Sequence, residues 1–198
     1  LKPMRAEVYQ AKDILTKLLH TIFFHRALGV VTPMELPCQN LQTTYLTCGD
    51  KKVHHDVDQL INSLEGKVEE RKESLVDVTL AFYTLREKNA LLGWKKTQEK
   101  VVWERWVIPI VLCWSPSGHI DSAEEKKLQE IESAVTEQVL FILQKVEENK
   151  DHLPPMHGDP RHSSAPMQCL YDLSIPEKSG SNWPIDMFKM INPPTILN

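Results

Sequence analysis

The sequence predicts an α+β domain with three main helices packed on a largely antiparallel sheet. Two observations carry this. Long segments with helical hydrophobic spacing alternate with short strand-like segments, in the order helix, strand, helix, strand, strand, helix, strand. The chain of 198 residues, 41% apolar and 25% charged, is also long enough for one ordinary core.

The first helix is read from "AKDILTKLLHTIFFHRAL". Ile14, Leu15, Leu18, Leu19, Ile22 and Phe23 recur at helical spacing, and Phe24 widens the stripe. So wide a stripe implies burial on more than one side. Gly29 and Pro33 stop the helix. Residues 29–40 read as a loop, and "LQTTYLTC" at 41–48 as a short strand. Asp50 is a suitable N-cap for a second helix over about 52–72. Its apolar stripe, Val53, Val57, Leu60, Ile61, Leu64 and Val68, is narrow, so it lies on the surface with one side down.

"SLVDVTLAFY" alternates with period two, placing Val76, Val78, Leu80 and Phe82 on one face. A loop of about fifteen residues separates it from a strand at 101–113, "VVWERWVIPIVLC". Opposite parity sends Trp103 and Trp106 to opposite faces. Residues 107–112 are apolar on both parities apart from Pro109, which implies cover on both faces. Pro109 itself implies an edge or a bulge.

The third helix opens at Ser122, which forms a capping-box pattern with Glu125. Leu128, Ile131, Val135, Val139, Ile142 and Val146 form its core stripe. The run "VLFIL" at 139–143 is apolar all round, so it needs cover beyond the sheet: the first helix, or a partner chain. The composition then changes. Eight of the thirteen prolines lie in 151–198. This segment holds one strand at about 168–175 and a short helix over "PIDMFKMI". The whole reads as a single domain over 1–198, with a core at about 10–150 and a proline-rich C-terminal segment.

Net charge is −4 and the sequence pI about 6.1. That argues against a protein built to cover nucleic-acid phosphates or anionic lipid. Cys38, Cys48, Cys113 and Cys169 are scattered, without metal-finger spacing, and read as free thiols in a reducing compartment. No apolar run approaches the roughly 20 residues of a membrane span, and no signal peptide is visible. The expectation is a cytoplasmic protein.

Catalytic signatures are missing from the sequence. His20 and His25 are five apart, His54 and His55 are adjacent, and His152, His157 and His162 lie among prolines without matching cysteines. They read as helix-face and solvated histidines, with no metal and no cofactor. No phosphate-cradling or nucleophile-elbow motif occurs. Cys113 at the end of an apolar strand is the one candidate thioester-forming residue, in an enzyme resembling a ubiquitin-like conjugating enzyme.

The loop "NALLGWKKTQEK" stands out. It carries Leu91, Leu92 and Trp94 next to Lys95, Lys96 and Lys100. These three either fold back as core or form a projecting docking tip, for which Trp is a favoured anchor.

Four stretches together resemble one family. They are "LHTIFFHRALG" at 19–29, "LAFYTLREK" followed by the Trp-bearing loop and "WERW", "KDHLPPM" at 150–156, and "DMFKMI" near the end. The chain resembles the autophagy-related protein 101 family, HORMA-domain subunits of the autophagy-initiating kinase complex. The resemblance implies an open-type HORMA domain and a non-enzymatic scaffold at the cytoplasmic phagophore assembly site. Its partner would be the HORMA domain of autophagy-related protein 13. A Trp–Phe finger in the loop 89–100 would recruit downstream factors. Only Trp94 of that finger transfers, since Lys95 and Lys96 stand where the aromatic partner is expected. Leu140, Phe141 and Leu143 are the residues assigned to the dimer face. The alternative is a checkpoint-type HORMA adaptor that captures a partner peptide with its C-terminal segment.

Overall fold

A computed structural model describes residues 1–64, 73–89, 96–113, 122–154, 167–176 and 196–197. Leu91, Leu92, Trp94, Val68, His157, His162, the side chain of Ser122 and the expected helix over "PIDMFKMI" lie outside the described residues. The elements run β1 (Met4–Glu7), α1 (Val8–Arg26), β2 (Met34–Pro37), β3 (Thr44–Thr47), α2 (Lys51–Asn62), β4 (Ser74–Asn89), β5 (Lys96–Cys113), α3 (Ser122–Glu148), a 3-10 turn (Lys150–His152), β6 (Leu170–Ser174) and β7 (Ile196–Leu197). The main sheet has the order β1-β5-β4-β6. β4 pairs antiparallel with β5 and β6, while β1 and β7 join β5 in parallel. β2 and β3 form a separate antiparallel ribbon. Among the described residues no helix is long and apolar enough to cross a membrane.

α1 is the central helix of the core. Ile14, Leu15, Leu18, Leu19, Ile22 and Phe23 are all fully buried. Each contributes about 1.5–3 kcal/mol by leaving water. The helix is started by a reciprocal cap. Glu7 accepts from the Gln10 backbone N–H, and the Gln10 side chain accepts from the Glu7 N–H at 3.1 Å. α1 packs against the sheet, α2, α3 and β3, which accounts for its wide stripe. Val76, Val78, Leu80 and Phe82 of β4 share the buried face with Trp106, Ile108, Ile110 and Leu112 of β5. Asp50 caps α2 as expected: its Oδ1 accepts from the backbone N–H of Lys52 (2.9 Å) and Val53 (3.2 Å). Gly49, just before it, has φ +77, and a Cβ there would sit 3.0 Å from the Thr32 carbonyl oxygen.

Several readings are corrected. The stretch 29–40 contains a strand, β2, which exists because β3 pairs with it. The hairpin loop between β4 and β5 is shorter than expected, since the ladder continues to Asn89↔Lys96. The bulge lies at Trp103 rather than Pro109. Phe82 pairs with Glu104 and Tyr83 with Val102, so Trp103 is the extra residue. This overrides parity: Trp103 does not face away from the core but stacks on buried Phe82, with ring centroids 5.4 Å apart. Pro109 sits one residue before β1 joins β5 at Ile110. The outer face of 107–112 is half-buried rather than covered, with Val107, Pro109 and Val111 all partly exposed. His20, read as a helix-face histidine, is fully buried.

One polar group stands on the apolar face of β5. Glu104 is 1% exposed, next to Trp106. A carboxylate there is tolerable only when paired and hydrogen-bonded. Arg26, the last residue of α1, meets it in a fork: Nε to Oε1 at 2.8 Å and Nη2 to Oε2 at 2.8 Å. The Trp106 indole donates to Oε1 at 2.5 Å, and His152 Nε2 lies 2.8 Å from Oε2. The Cys169 thiol donates to the Arg26 carbonyl at 3.6 Å. The end of α1, the middle of β5 and the turn after α3 thus meet at one carboxylate, and the approach to β6 joins them through the Arg26 backbone.

Removing one partner leaves the other charge buried and alone. Glu104→Leu is expected to cost about 3–5 kcal/mol in urea unfolding, and Arg26→Met with Glu104→Leu together much less. Equal losses in the single and double variants would show that the ion pair is not what fastens these elements.

Candidate functional site

Two surfaces carry the residues singled out from the sequence. The first is an arm. β6 covers β4 only from Thr79 to Tyr83. Beyond it, Thr84–Asn89 and Lys96–Val101 pair with each other alone among the described residues. Leu91, Leu92 and Trp94 belong to the connection at the end of this arm, outside the described residues. The base is braced. Trp103 stacks on Phe82 and lies 5.7 Å from the His152 ring. The Lys100 ammonium sits 3.8 Å over the Tyr83 ring and pairs with Asp172 of β6. The bulge at Trp103 adds twist where the arm leaves the sheet.

The second surface is on α3. Ile142 is fully buried and Val139 half-buried, because they turn inward against the core cluster that includes α1. Leu140, one residue away, is 61% exposed, and Leu143 is 36% exposed. Phe141 is half-buried, with the Lys145 ammonium 5.6 Å from its ring centroid. The run 139–143 is therefore covered on one side only. Leu140 and Leu143, three apart, make an apolar pair on the open face.

The other candidate residues are dispersed. The four cysteines are free. Cys113 is half-buried, and its sulfur accepts from Arg5 Nε at 3.2 Å, while Arg5 also pairs with Glu73. Burial pushes the Cys38 and Cys169 thiols up to about 11. His54 and Asp58 are 3.6 Å apart on exposed α2. No group of three or more potential metal ligands comes together among the described residues.

The sequence reading missed Arg26, Glu104 and Asp13. Asp13 is 6% exposed and accepts from the backbone N–H of Leu41 at 3.0 Å and from that of Asn40, tying the chain before β3 to α1. A signal was present for Glu104, since "WERW" places a charge between two tryptophans of an apolar strand. For Asp13 there was none: its partners are backbone groups about 28 residues away.

β6 closes the described structure on the other side. The Tyr171 hydroxyl donates to Asp56 Oδ2 of α2 at 2.7 Å, and Lys52 lies over its ring at 4.5 Å. Burial and then this hydrogen bond push the Tyr171 phenol up, so it stays a donor. β6 pairs only with β4 among the described residues, and an open cavity of about 620 Å³ lies between it and α2.

Comparison with known proteins agrees with this architecture. The family model described as autophagy-related protein 101 matches residues 3–159. A protein of Arabidopsis thaliana named autophagy-related protein 101 is 28% identical over 206 aligned residues, covering 96% of this chain and 92% of the relative. Three main helices on a mostly antiparallel mixed sheet are consistent with the HORMA-type domain of that family.

The exposures on α3 separate surface from core by a test on the chain alone. Leu140→Asp is expected to change unfolding free energy by no more than about 0.5 kcal/mol, and Ile142→Ala to cost about 2–5 kcal/mol. A large loss from Leu140→Asp would mean that this face is covered within the chain.

Proposed function

This chain belongs to the autophagy-related protein 101 family, and we propose that it acts there as a non-enzymatic scaffold. It is an autophagy-related protein by family. In the proposed role it pairs with the HORMA domain of autophagy-related protein 13 and stabilises it. It does so within the autophagy-initiating kinase complex, at the phagophore assembly site. The chain is one HORMA domain of open type over 1–198. The loop at 89–100, with Leu91, Leu92 and Trp94, presents a docking tip to downstream autophagy factors.

The observation that carries the pairing is the open apolar face of α3. Leu140 and Leu143 are exposed beside half-buried Phe141 on a helix whose other side packs into the core. Covering a large apolar side chain is worth about 1.5–3 kcal/mol. A HORMA partner that covered both leucines would thus gain a useful share of a stable contact. The arm supports recruitment, because its two strands pair up to Asn89 and Lys96, directly flanking the connection that carries Trp94, and its base is braced by Lys100 on Tyr83. Lysines near the tip would keep an apolar anchor soluble while unbound.

One feature favours the alternative reading, capture of a partner peptide by the C-terminal segment. Among the described residues β6 has no strand on its far edge, beside the cavity against α2, where an added strand would find backbone partners.

Co-expression with the partner HORMA domain, followed by size-exclusion chromatography with light scattering, tests the proposal. A stable one-to-one complex is expected. Leu140→Asp with Leu143→Asp is expected to weaken it at least about tenfold, and Trp94→Ala to leave it intact while impairing starvation-induced autophagy. A well-folded chain that stays monomeric beside that partner would overturn the pairing. Tight, saturable binding of a peptide blocked by changes in β6 would favour the alternative.

A further inference from the structure

The β2–β3 ribbon is attached to the body of the domain through a buried histidine. His20 of α1 is fully buried. Its ring stacks on Tyr45 of β3, with centroids 5.1 Å apart and planes at 20°. On its other flank lies the His54 ring of α2, 5.5 Å away. Neither Nδ1 nor Nε2 of His20 has a hydrogen-bond partner among the described residues. An imidazole in such a place is stable only while uncharged, because a charge there meets neither water nor an acceptor.

Apart from that stack the ribbon meets the body along α1, and the Gln42 backbone N–H just before β3 donates to Glu132 of α3 at 2.6 Å. The ribbon's two strands pair only with each other among the described residues. Its register places Leu36 beside Tyr45 and Met34 beside Thr47 on one face. A mainly apolar cavity of about 370 Å³ separates this face from α2, lined by residues that include Met34, Leu36, Thr47 and His54. Polar ties to α1 lie at the start of β3: Lys17 Nζ to Thr43 Oγ1 at 2.5 Å, and Asp13 to Asn40 and Leu41. The titratable and charged groups around His20 are Tyr45 from β3, His54 from α2 with Asp58 at 3.6 Å from it, and Lys17 on α1 itself. Asp50, Lys51 and His55 line the same cavity. Besides burial, the neighbouring His54 weighs on the charge of His20 and opposes it; among the described residues no other group does so.

We propose that His20 makes the β2–β3 ribbon an acid-releasable flap: a proton taken up by its ring breaks the stack with Tyr45, and the ribbon lifts from α1 and α2, uncovering Leu36 and Tyr45. Burial, then His54, holds the closed-form ring down to about 4, against an ordinary 6.5 once the ribbon opens. Opening therefore takes up a proton. It is favoured increasingly as pH falls below about 6.5, and the effect levels off only below about 4. At about pH 5 the two values give a shift of about 30-fold towards the open form.

Hydrogen exchange of the full chain, read by mass spectrometry at about pH 7.5 and about pH 5 and corrected for intrinsic rates, tests this. Peptides covering 34–47 are expected to lose about 30-fold in protection at the lower pH, while peptides in 74–83 keep theirs. His20→Phe keeps the aromatic stack but cannot titrate, and should abolish the change; His54→Gln should retain it. An unchanged ribbon in the unsubstituted chain, or the same acid loss in His20→Phe, overturns the proposal. Should that variant not fold, NMR titration of the His20 ring in the unsubstituted chain decides. Titration well below the ordinary range supports the flap, and an ordinary midpoint with the ribbon closed overturns it.

Discussion

The buried pair of Arg26 and Glu104 is the constraint around which the other parts are arranged. A carboxylate on the core face of β5 has no access to water, so every acceptor position must be filled by the chain itself. The end of α1 supplies the guanidinium, β5 supplies the Trp106 indole, and the turn after α3 supplies His152. The backbone of Arg26 in turn takes the Cys169 thiol from the approach to β6. Apolar packing alone is tolerant of small sliding. A forked, fully bonded ion pair is not, and it sets the register of both helices and the C-terminal segment against the sheet.

Around this fixed centre the molecule grades outward. α1, β4 and β5 make the dense middle, where nearly every inward side chain is fully buried. Among the described residues, most side chains of the ribbon, the arm and the outer face of α3 are exposed or half-buried. Such regions open first and are where binding surfaces are found. The assignments to function lie there: the tip of the arm, the leucine pair of α3, and the flap over α2. Leu140 and Leu143 stand exposed on a helix whose other side is buried, which gives a docking residue a defined position.

How much of this was legible depended on the range of the interaction. The α1 stripe, the alternation of Val76 to Phe82, the Asp50 cap and the start of α3 at Ser122 were read from neighbours within a few residues. β1, β2 and β7 were not, because strands of two to four residues have no period of their own and become strands by pairing; β3, equally short, was read from its Thr and Tyr content. The bulge at Trp103 was invisible for a similar reason. A single inserted residue reverses parity locally, and only the register against β4 reveals it.

The sequence by itself determined the class of the protein: an α+β domain, its principal helices and strands, its family, and the apolar run at 139–143 in need of cover. The elements and the apolar run are properties of local spacing and composition; the family rests on the resemblance of four stretches. Tertiary structure decided which side of that run stays open, where the lone glutamate of "WERW" finds its partners, and that His20 is enclosed without an acceptor. These depend on groups brought together from distant parts of the chain. Hydrophobic periodicity tells a side chain which way to face, but what it meets there is set by the packing of the whole.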